Sequence, residues 1–232
     1  MIIKASILLL LCFSITNSYA QKTISVFNHE IVFGKVMQVT ETGYENNRRL
    51  GKAINADSID KQVSKYDIGG NIIERVAYIA TNWKLQFYGR YNYLTKKDIG
   101  GNKVEILMKQ NDKELEVYKF NEQGYLTESN SKTGQLVKWL YHYDASGNPI
   151  LIECYDVENN LLTRKKNKYN KTGNIIEEDS YTDGGTKFNS VTYYSYEAFD
   201  KMGNWLKRIS TNMIRSGGSR AVRISDRQIL YY

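Results

Sequence analysis

Few residues of this 232-residue chain carry spacing that chemistry requires. His29-Glu30-Ile31-Val32-Phe33 begins like the zinc-binding helix of a metalloprotease, which needs a second histidine four residues after the first. Phe33 stands there instead, so no zinc site is expected. His142 lies between Tyr141 and Tyr143 in a strand-like run and reads as a sheet-face residue, since a general base needs a nucleophile within hydrogen-bond reach. Cys154 has no companion motif and reads as an inert strand cysteine. Asp67 and Asp98, each near paired glycines, resemble calcium-binding β-roll loops, but those need a denser nonapeptide pattern. There is no Gly-x-Ser-x-Gly elbow and no phosphate-binding glycine loop, and the carboxylates are too evenly spread to nominate a glycosidase pair. The expectation is a protein without a catalytic centre, metal or cofactor.

Binding remains. Trp83, Trp139, Tyr141, Tyr143, Tyr193, Tyr194 and Trp205 offer rings that stack on sugars, or equally rings that pack across strands. Arg215, Arg220, Arg223 and Arg227, near Ser216-Gly217-Gly218-Ser219, form the densest basic cluster, fit for an anionic glycan or for guarding a sheet edge. The candidate ligand-binding residues are Trp139, Tyr141, Tyr143, Trp205, Arg220 and Arg223.

The elements that must position these residues are written in a phrase that occurs six times, most plainly as Tyr143-Asp144-Ala145-Ser146-Gly147-Asn148. Its Asp or Asn falls at 67, 98, 121, 144, 170 and 200. Gly follows three positions later in every copy, and Asn at the fourth position in all but the copy at Asn121. An aromatic ring precedes in all but the copy at Asp98. The sixth position is apolar except at Thr127, and the seventh is Glu at 74, 105, 128 and 177. An Asp or Asn side chain can accept a backbone N–H at the start of a turn, and Gly takes the positive φ that closes a type I turn with a bulge. The phrase is a hairpin turn flanked by the ends of its two strands.

Weaker turns fall between, at 110–113, 131–134, 156–159 and 182–185. Subtracting the turns leaves strands of about 8 residues, in an up-and-down antiparallel meander of roughly a dozen strands. Strong turns line one edge and weak turns the other. Alternation along the strands leaves neither face consistently dry: Val137, Trp139, Tyr141 and Tyr143 oppose Lys138, Leu140 and His142. The fold class expected is therefore all-β, a meander of repeated hairpins forming a single twisted, mostly open sheet. A curled half-shell or barrel is the alternative, since closure removes exposed edges.

Residues 1–20 read as a signal peptide: Lys4, an apolar stretch from Ile7 to Phe13, and Ser18-Tyr19-Ala20 before the cleavage point. Leu11 precedes Cys12 where a lipoprotein site needs a small residue, which argues against lipidation. Residues 21–62 read as an N-terminal cap over the first edge strand, and 63–232 as the β-repeat domain. Losing Lys4 takes the formal net charge from +7 to +6. An exported, mildly basic chain points to anionic polysaccharide or an anionic membrane surface rather than nucleic acid, or to a solvated surface of interleaved charges; polysaccharide or another envelope protein is the partner expected. No later stretch is long and apolar enough for a transmembrane helix. Cys154 is the one cysteine after the signal, so no intrachain disulfide is available.

The Tyr-Asp-x-x-Gly-Asn phrase, repeated over about residues 63–232, resembles the YD repeat, or RHS repeat, of exported bacterial proteins. The ending, from Asp200-Lys201-Met202-Gly203-Asn204-Trp205 to Asp226-Arg227-Gln228-Ile229-Leu230-Tyr231-Tyr232, is similar to small secreted members without a toxin domain. The resemblance implies a non-enzymatic binding or structural module of the cell envelope, with carbohydrate or protein as ligand. It leaves as alternatives a secreted carbohydrate-active enzyme and a companion or fragment of an RHS toxin system. Periplasm, outer surface and extracellular medium are all open as destinations.

Overall fold

A computed structural model describes residues 22–24, 31–45, 58–81, 84–97, 104–110, 113–132, 137–214 and 220–232. The signal-peptide reading, Cys12, His29, Trp83 and Arg215 lie outside the described residues. Two short strands, β1 (Lys22–Ile24) and β2 (Ile31–Phe33), pair with each other. Fourteen more follow in order: β3 (Val36–Glu45), β4 (Ser58–Tyr66), β5 (Ile72–Thr81), β6 (Lys84–Lys97), β7 (Val104–Gln110), β8 (Lys113–Phe120), β9 (Leu126–Ser131), β10 (Lys138–Tyr143), β11 (Pro149–Tyr155), β12 (Leu161–Tyr169), β13 (Ile175–Thr182), β14 (Lys187–Phe199), β15 (Trp205–Ile214) and β16 (Arg220–Tyr231). Each pairs antiparallel with its neighbours in sequence, as an up-and-down meander does.

The sheet is not open. β16 pairs with β3, from Arg223↔Glu45 to Tyr231↔Val36, and closes the meander into a fourteen-stranded barrel. The closing strand comes from the segment read as a cap, and it pairs with β4 on one side and β16 on the other. Arg223 straddles the seam, its guanidinium placed fork to fork on Asp60 of β4 at 2.6 and 2.8 Å.

The repeated turn supplies the curvature. At Asp144 the chain reverses through Gly147 N–H to Asp144 C=O (3.1 Å) and Asp144 N–H to Asn148 C=O (3.0 Å). The Asp144 carboxylate accepts N–H bonds from Ser146 and Asn148, and the Asn148 amide donates back to it at 2.9 Å. The same amide bond recurs at Asp67 and Asp200, while Asn174 donates to Thr172 Oγ1 instead, so the asparagine at the fourth position braces the turn in each case. Gly70, Gly124, Gly147, Gly173 and Gly203 take φ of +80 to +86°. The turn at 98–102 lies outside the described residues.

Every described copy is followed by a register shift: between Lys65 and Tyr66, Lys119 and Phe120, His142 and Tyr143, Lys168 and Tyr169, and Ala198 and Phe199. The residue bulged out is the sixth position of the phrase, and Ile73, Ile150 and Ile176 accordingly face solvent. A bulge bends and twists its strand, so a row of bulges along one rim curls the sheet toward closure. It also resets the in–out alternation. Leu126 and Ser129 both point inward because Thr127 is skipped between them. Counting alternate residues straight through the bulge mixes the two faces, which is why the sequence shows no dry one.

Read from the bulge, the faces separate. In three copies the aromatic before the turn and the fifth position after its Asp or Asn pair inward, Tyr66 with Ile72, Phe120 with Leu126 and Tyr143 with Pro149, whereas Phe199 of the last copy is exposed. With Val36, Val39, Tyr91, Tyr93, Met108, Tyr118, Tyr141 and Ile152 these pairs build the core, into which β2 inserts Val32. Burial pushes the Tyr93, Tyr118 and Tyr141 hydroxyls up from the usual tyrosine range, so all three stay neutral. The seventh-position glutamates face outward and meet the lysine that precedes the aromatic: Lys65–Glu74 (3.3 Å), Lys119–Glu128 (2.6 Å) and Lys168–Glu177 (2.5 Å). Exposed pairs of this kind are worth about 0–1 kcal/mol each. Their effect is to fix which face is wet.

Candidate functional site

Eight strands make the barrel whose interior side chains just fill, and wider ones leave space. Here most of the core lies on β3–β9, and it reaches Tyr141 of β10 and Ile152 of β11. On the other side, the inward faces of β10–β15 leave a cavity of about 340 Å³. Trp139 and Tyr141 of β10 and Ile152 of β11 form the wall nearest the core, and Tyr194 and Tyr196 of β14 the opposite one. Lys165 and Asn167 of β12 and Glu178 of β13 lie between, with Trp205 and Arg208 of β15 at the far end. A second cavity of about 510 Å³ sits at the strong-turn rim, among the turns at 144–148, 170–174 and 203–204. The two share Asn148, Asn167, Tyr169 and Trp205, so the interior opens toward that rim.

The polar groups are held in place. Lys165 Nζ lies 3.1 Å from Glu178 Oε1. The Arg208 guanidinium stands 4.4 Å from the Trp205 ring centre and 5.3 Å from that of Tyr194. Arg227 of β16 lies 3.4 Å from the centre of the same indole. Glu41 of β3 joins both guanidiniums, at 2.9 Å to Arg227 and 3.5 Å to Arg208. These groups are taken largely out of water, Arg227 to 3% side-chain exposure and Arg208 to 11%, where charge interactions are strengthened. Asn167 donates through Nδ2 to Pro149 C=O at 2.8 Å, which fixes its amide orientation because that oxygen can only accept. Its Oδ1 is buried and accepts no hydrogen bond. Tyr196 and Tyr169 spend their hydroxyls on Ile175 C=O (2.8 Å) and Pro149 C=O (3.1 Å), leaving ring surface for the cavity.

Of the residues singled out from sequence, Trp139, Tyr141 and Trp205 meet at this cavity. Tyr143 faces inward but lies outside its lining: it stacks on Tyr125 at 5.0 Å and donates to Leu126 C=O at 2.7 Å. Arg223 is the seam residue bound to Asp60. Arg220 belongs to β16 by its backbone, and its side chain lies outside the described residues. Tyr193 is exposed on the outer face while its neighbour Tyr194 points in. Sequence reasoning passed over Lys165, Asn167, Glu178, Tyr196 and Arg208. The available signal was inward parity counted from each bulge rather than along the whole strand.

His142 is on the outer face, 3.3 Å from Glu153, which also binds Arg164 at 2.8 Å. Burial would raise the Glu153 carboxyl, but bonds from Arg164 and Tyr155 outweigh it and hold it below the usual range. Cys154 is buried and free, and burial pushes its thiol up, away from the reactive thiolate. Among the described residues no group of three His, Cys, Asp or Glu is placed to hold a metal.

Fold and cavity together define an antiparallel β-barrel with a partly filled interior. A porin-like protein from Bacteroides uniformis has a similar solved structure, with TM-score 0.50 and 8% identity over 84% of this chain and 98% of that one. A LolA-superfamily protein from Nitrosomonas europaea aligns at TM-score 0.35 and 10% identity, over 85% and 86% of the two chains. The first likeness supports the barrel fold. No family model matches the chain, and no curated protein matches it in sequence.

Proposed function

We propose that this is an exported, non-enzymatic β-barrel of the cell envelope that binds a small saccharide inside its barrel. One observation carries the reading: beside the buried core the interior holds an open cavity walled by aromatic rings whose polar neighbours are already fixed. Ligand sites combine apolar and aromatic walls with a few oriented polar groups in about 300–1,000 Å³. Sugars present C–H faces that stack on such rings and hydroxyls that meet such groups. The resemblance of the repeats to YD-repeat proteins points the same way.

Two further features support it. Of the described lining carboxylates, Glu178 is tied to Lys165 and Asp144, at the rim, is held by its own turn, whereas glycoside hydrolysis needs a pair of carboxyls across the scissile bond. The outer wall carries Lys65–Glu74, Lys119–Glu128, Arg164–Glu153 and Lys168–Glu177 across its strands. A lipid-facing barrel wears an apolar band there, and a buried-in-lipid Lys or Arg costs about 2–4 kcal/mol at midplane. These pairs support a barrel that water surrounds, although exposed apolar residues such as Phe87, Leu94 and Leu162 share its outer wall. A glycan array with the purified protein, followed by tryptophan fluorescence titration of each hit, tests the proposal. Binding that quenches or shifts the emission supports it, and silence across neutral and anionic glycans removes it.

A further inference from the structure

We infer that Asn167 selects the saccharide, its Oδ1 accepting one sugar hydroxyl at the neck where the interior cavity meets the rim cavity. Resting on the cavity as the ligand site, this names the atom that reads what enters it. Asn167 lines both cavities and is 8% exposed. It stands on β12 opposite Glu178 of β13, at an inward position of its strand. Its amide is held by the other end. Nδ2 donates to Pro149 C=O at 2.8 Å and lies 3.4 Å from the Tyr169 hydroxyl, which donates to the same carbonyl at 3.1 Å. With the nitrogen anchored there, Oδ1 stands as a buried acceptor without a hydrogen bond.

The protein brings no donor to that oxygen. The Tyr169 and Tyr196 hydroxyls are spent on backbone carbonyls, and the Asn148 amide donates to the Asp144 carboxylate. The Lys165 ammonium is 3.1 Å from Glu178. A water needs about two to four polar partners to be held in such a place, and these neighbours are turned elsewhere. A buried acceptor in that state costs free energy that a donor beside it restores. A β-branched residue would suit an inward strand position and carry no such cost. Positions that break a local rule in this way are expected at functional sites. A sugar hydroxyl is the donor that fits, on a ring whose C–H face lies against Tyr169 or Tyr196. An analogue without that hydroxyl would leave Oδ1 buried and unmet, which is how a binding site rejects a near-identical ligand.

Calorimetry on the whole protein decides it. Methyl glucoside, methyl galactoside, methyl mannoside and the strongest binder of the glycan array are each compared with their monodeoxy forms. Loss of one particular hydroxyl is expected to weaken binding at least about tenfold, the discrimination of one hydrogen bond to a buried acceptor. Loss of the others should weaken it far less. In Asn167→Leu the sensitive deoxy form should bind as its parent does. That variant leaves Pro149 C=O with the Tyr169 hydroxyl, so the neck keeps its shape. Asn167→Asp keeps an oxygen in the same place, should retain the preference, and serves if the leucine variant does not fold. Deoxy forms that all bind as their parent does overturn this inference and leave the saccharide reading standing. A preference that survives in Asn167→Leu, or vanishes in Asn167→Asp, overturns the assignment to Asn167. Failure of every glycoside and of the glycan array removes both.

Discussion

Asn204 tests whether six near-identical turns do identical work. Its side chain leaves its own hairpin: Oδ1 accepts Phe33 N–H at 2.6 Å, while Nδ2 lies 2.9 Å from Phe33 C=O, 2.8 Å from the Tyr231 hydroxyl and 3.3 Å from Asp200. Asn204 is 4% exposed. It thereby ties β2, and with it the buried Val32, to the strong-turn rim. Asn71, at the same position of another copy, is exposed and bonds only within its own turn, to the Asp67 carboxylate at 3.0 and 3.3 Å. Replacing Asn204 by Ala removes bonds worth about 1 kcal/mol each and leaves the Phe33 peptide groups unmet at about 1–3 kcal/mol. The expected loss is about 2–4 kcal/mol. Asn71→Ala should cost about 0.5–1 kcal/mol, because water replaces what is lost. Urea denaturation followed by circular dichroism measures both, and amide hydrogen exchange at Phe33 reports whether β2 has come loose. Losses that agree within about 0.5 kcal/mol, with Phe33 still protected, would refute the tether.

Other consequences follow from particular contacts. Gly124 and Gly147 share a positive φ, but a Cβ at Gly124 meets nothing while one at Gly147 runs into the Tyr125 ring, itself stacked on Tyr143. Gly124→Ala should therefore cost about 1–2 kcal/mol of backbone strain, and Gly147→Ala about 1–3 kcal/mol more from overpacking, read as the difference in thermal unfolding. Glu41→Ala takes a shared carboxylate from two guanidiniums, one at 3% exposure, and should destabilise by about 3–5 kcal/mol in urea denaturation. Burial works to raise the Asp200 carboxyl, yet bonds from Tyr231 and Asn204 hold it below the ordinary 3.8, and the Asn148 amide does the same for Asp144. Burial and Asp200 push Tyr231 up to about 12 from 10.0. The carboxylate contributions are complete above the ordinary aspartate value and vanish as pH falls through the lower folded values. The Tyr231 contribution is complete below 10 and vanishes as pH rises through about 12. The urea midpoint should hold near neutrality and drop at both extremes, with Asp200→Asn flattening the acid limb; an unchanged acid limb in that variant would contradict the assignment.

Much of the hairpin was legible because its causes are local. Asp or Asn at the first position, Gly at the fourth residue of the turn, and a bulge after it are a single piece of backbone chemistry. In three copies the lysine before the aromatic and the glutamate at the seventh position are nine residues apart in sequence and face each other only because that turn puts them there. Such regularities are fixed by short-range geometry, so the chain announces all-β structure, antiparallel order and turn rims from one end to the other.

Closure was not legible, and neither was the site. Pairing of Val36–Glu45 with Arg223–Tyr231 joins the two ends of the chain, and no local pattern marks which strand will meet which across some 180 residues. The bulges that bend the sheet also invert the alternation by which faces are recognised, so Leu126 and Ser129 read as opposite sides though both are interior. The cavity is a remainder: the volume left beside the core where inward residues do not meet. Trp139, Lys165, Glu178, Tyr194 and Arg208 converge on it from five strands. What the amino-acid order settles alone is how each hairpin turns and which residues it pairs. Only the closed barrel decides what is inside, because inside does not exist until the last strand meets the first.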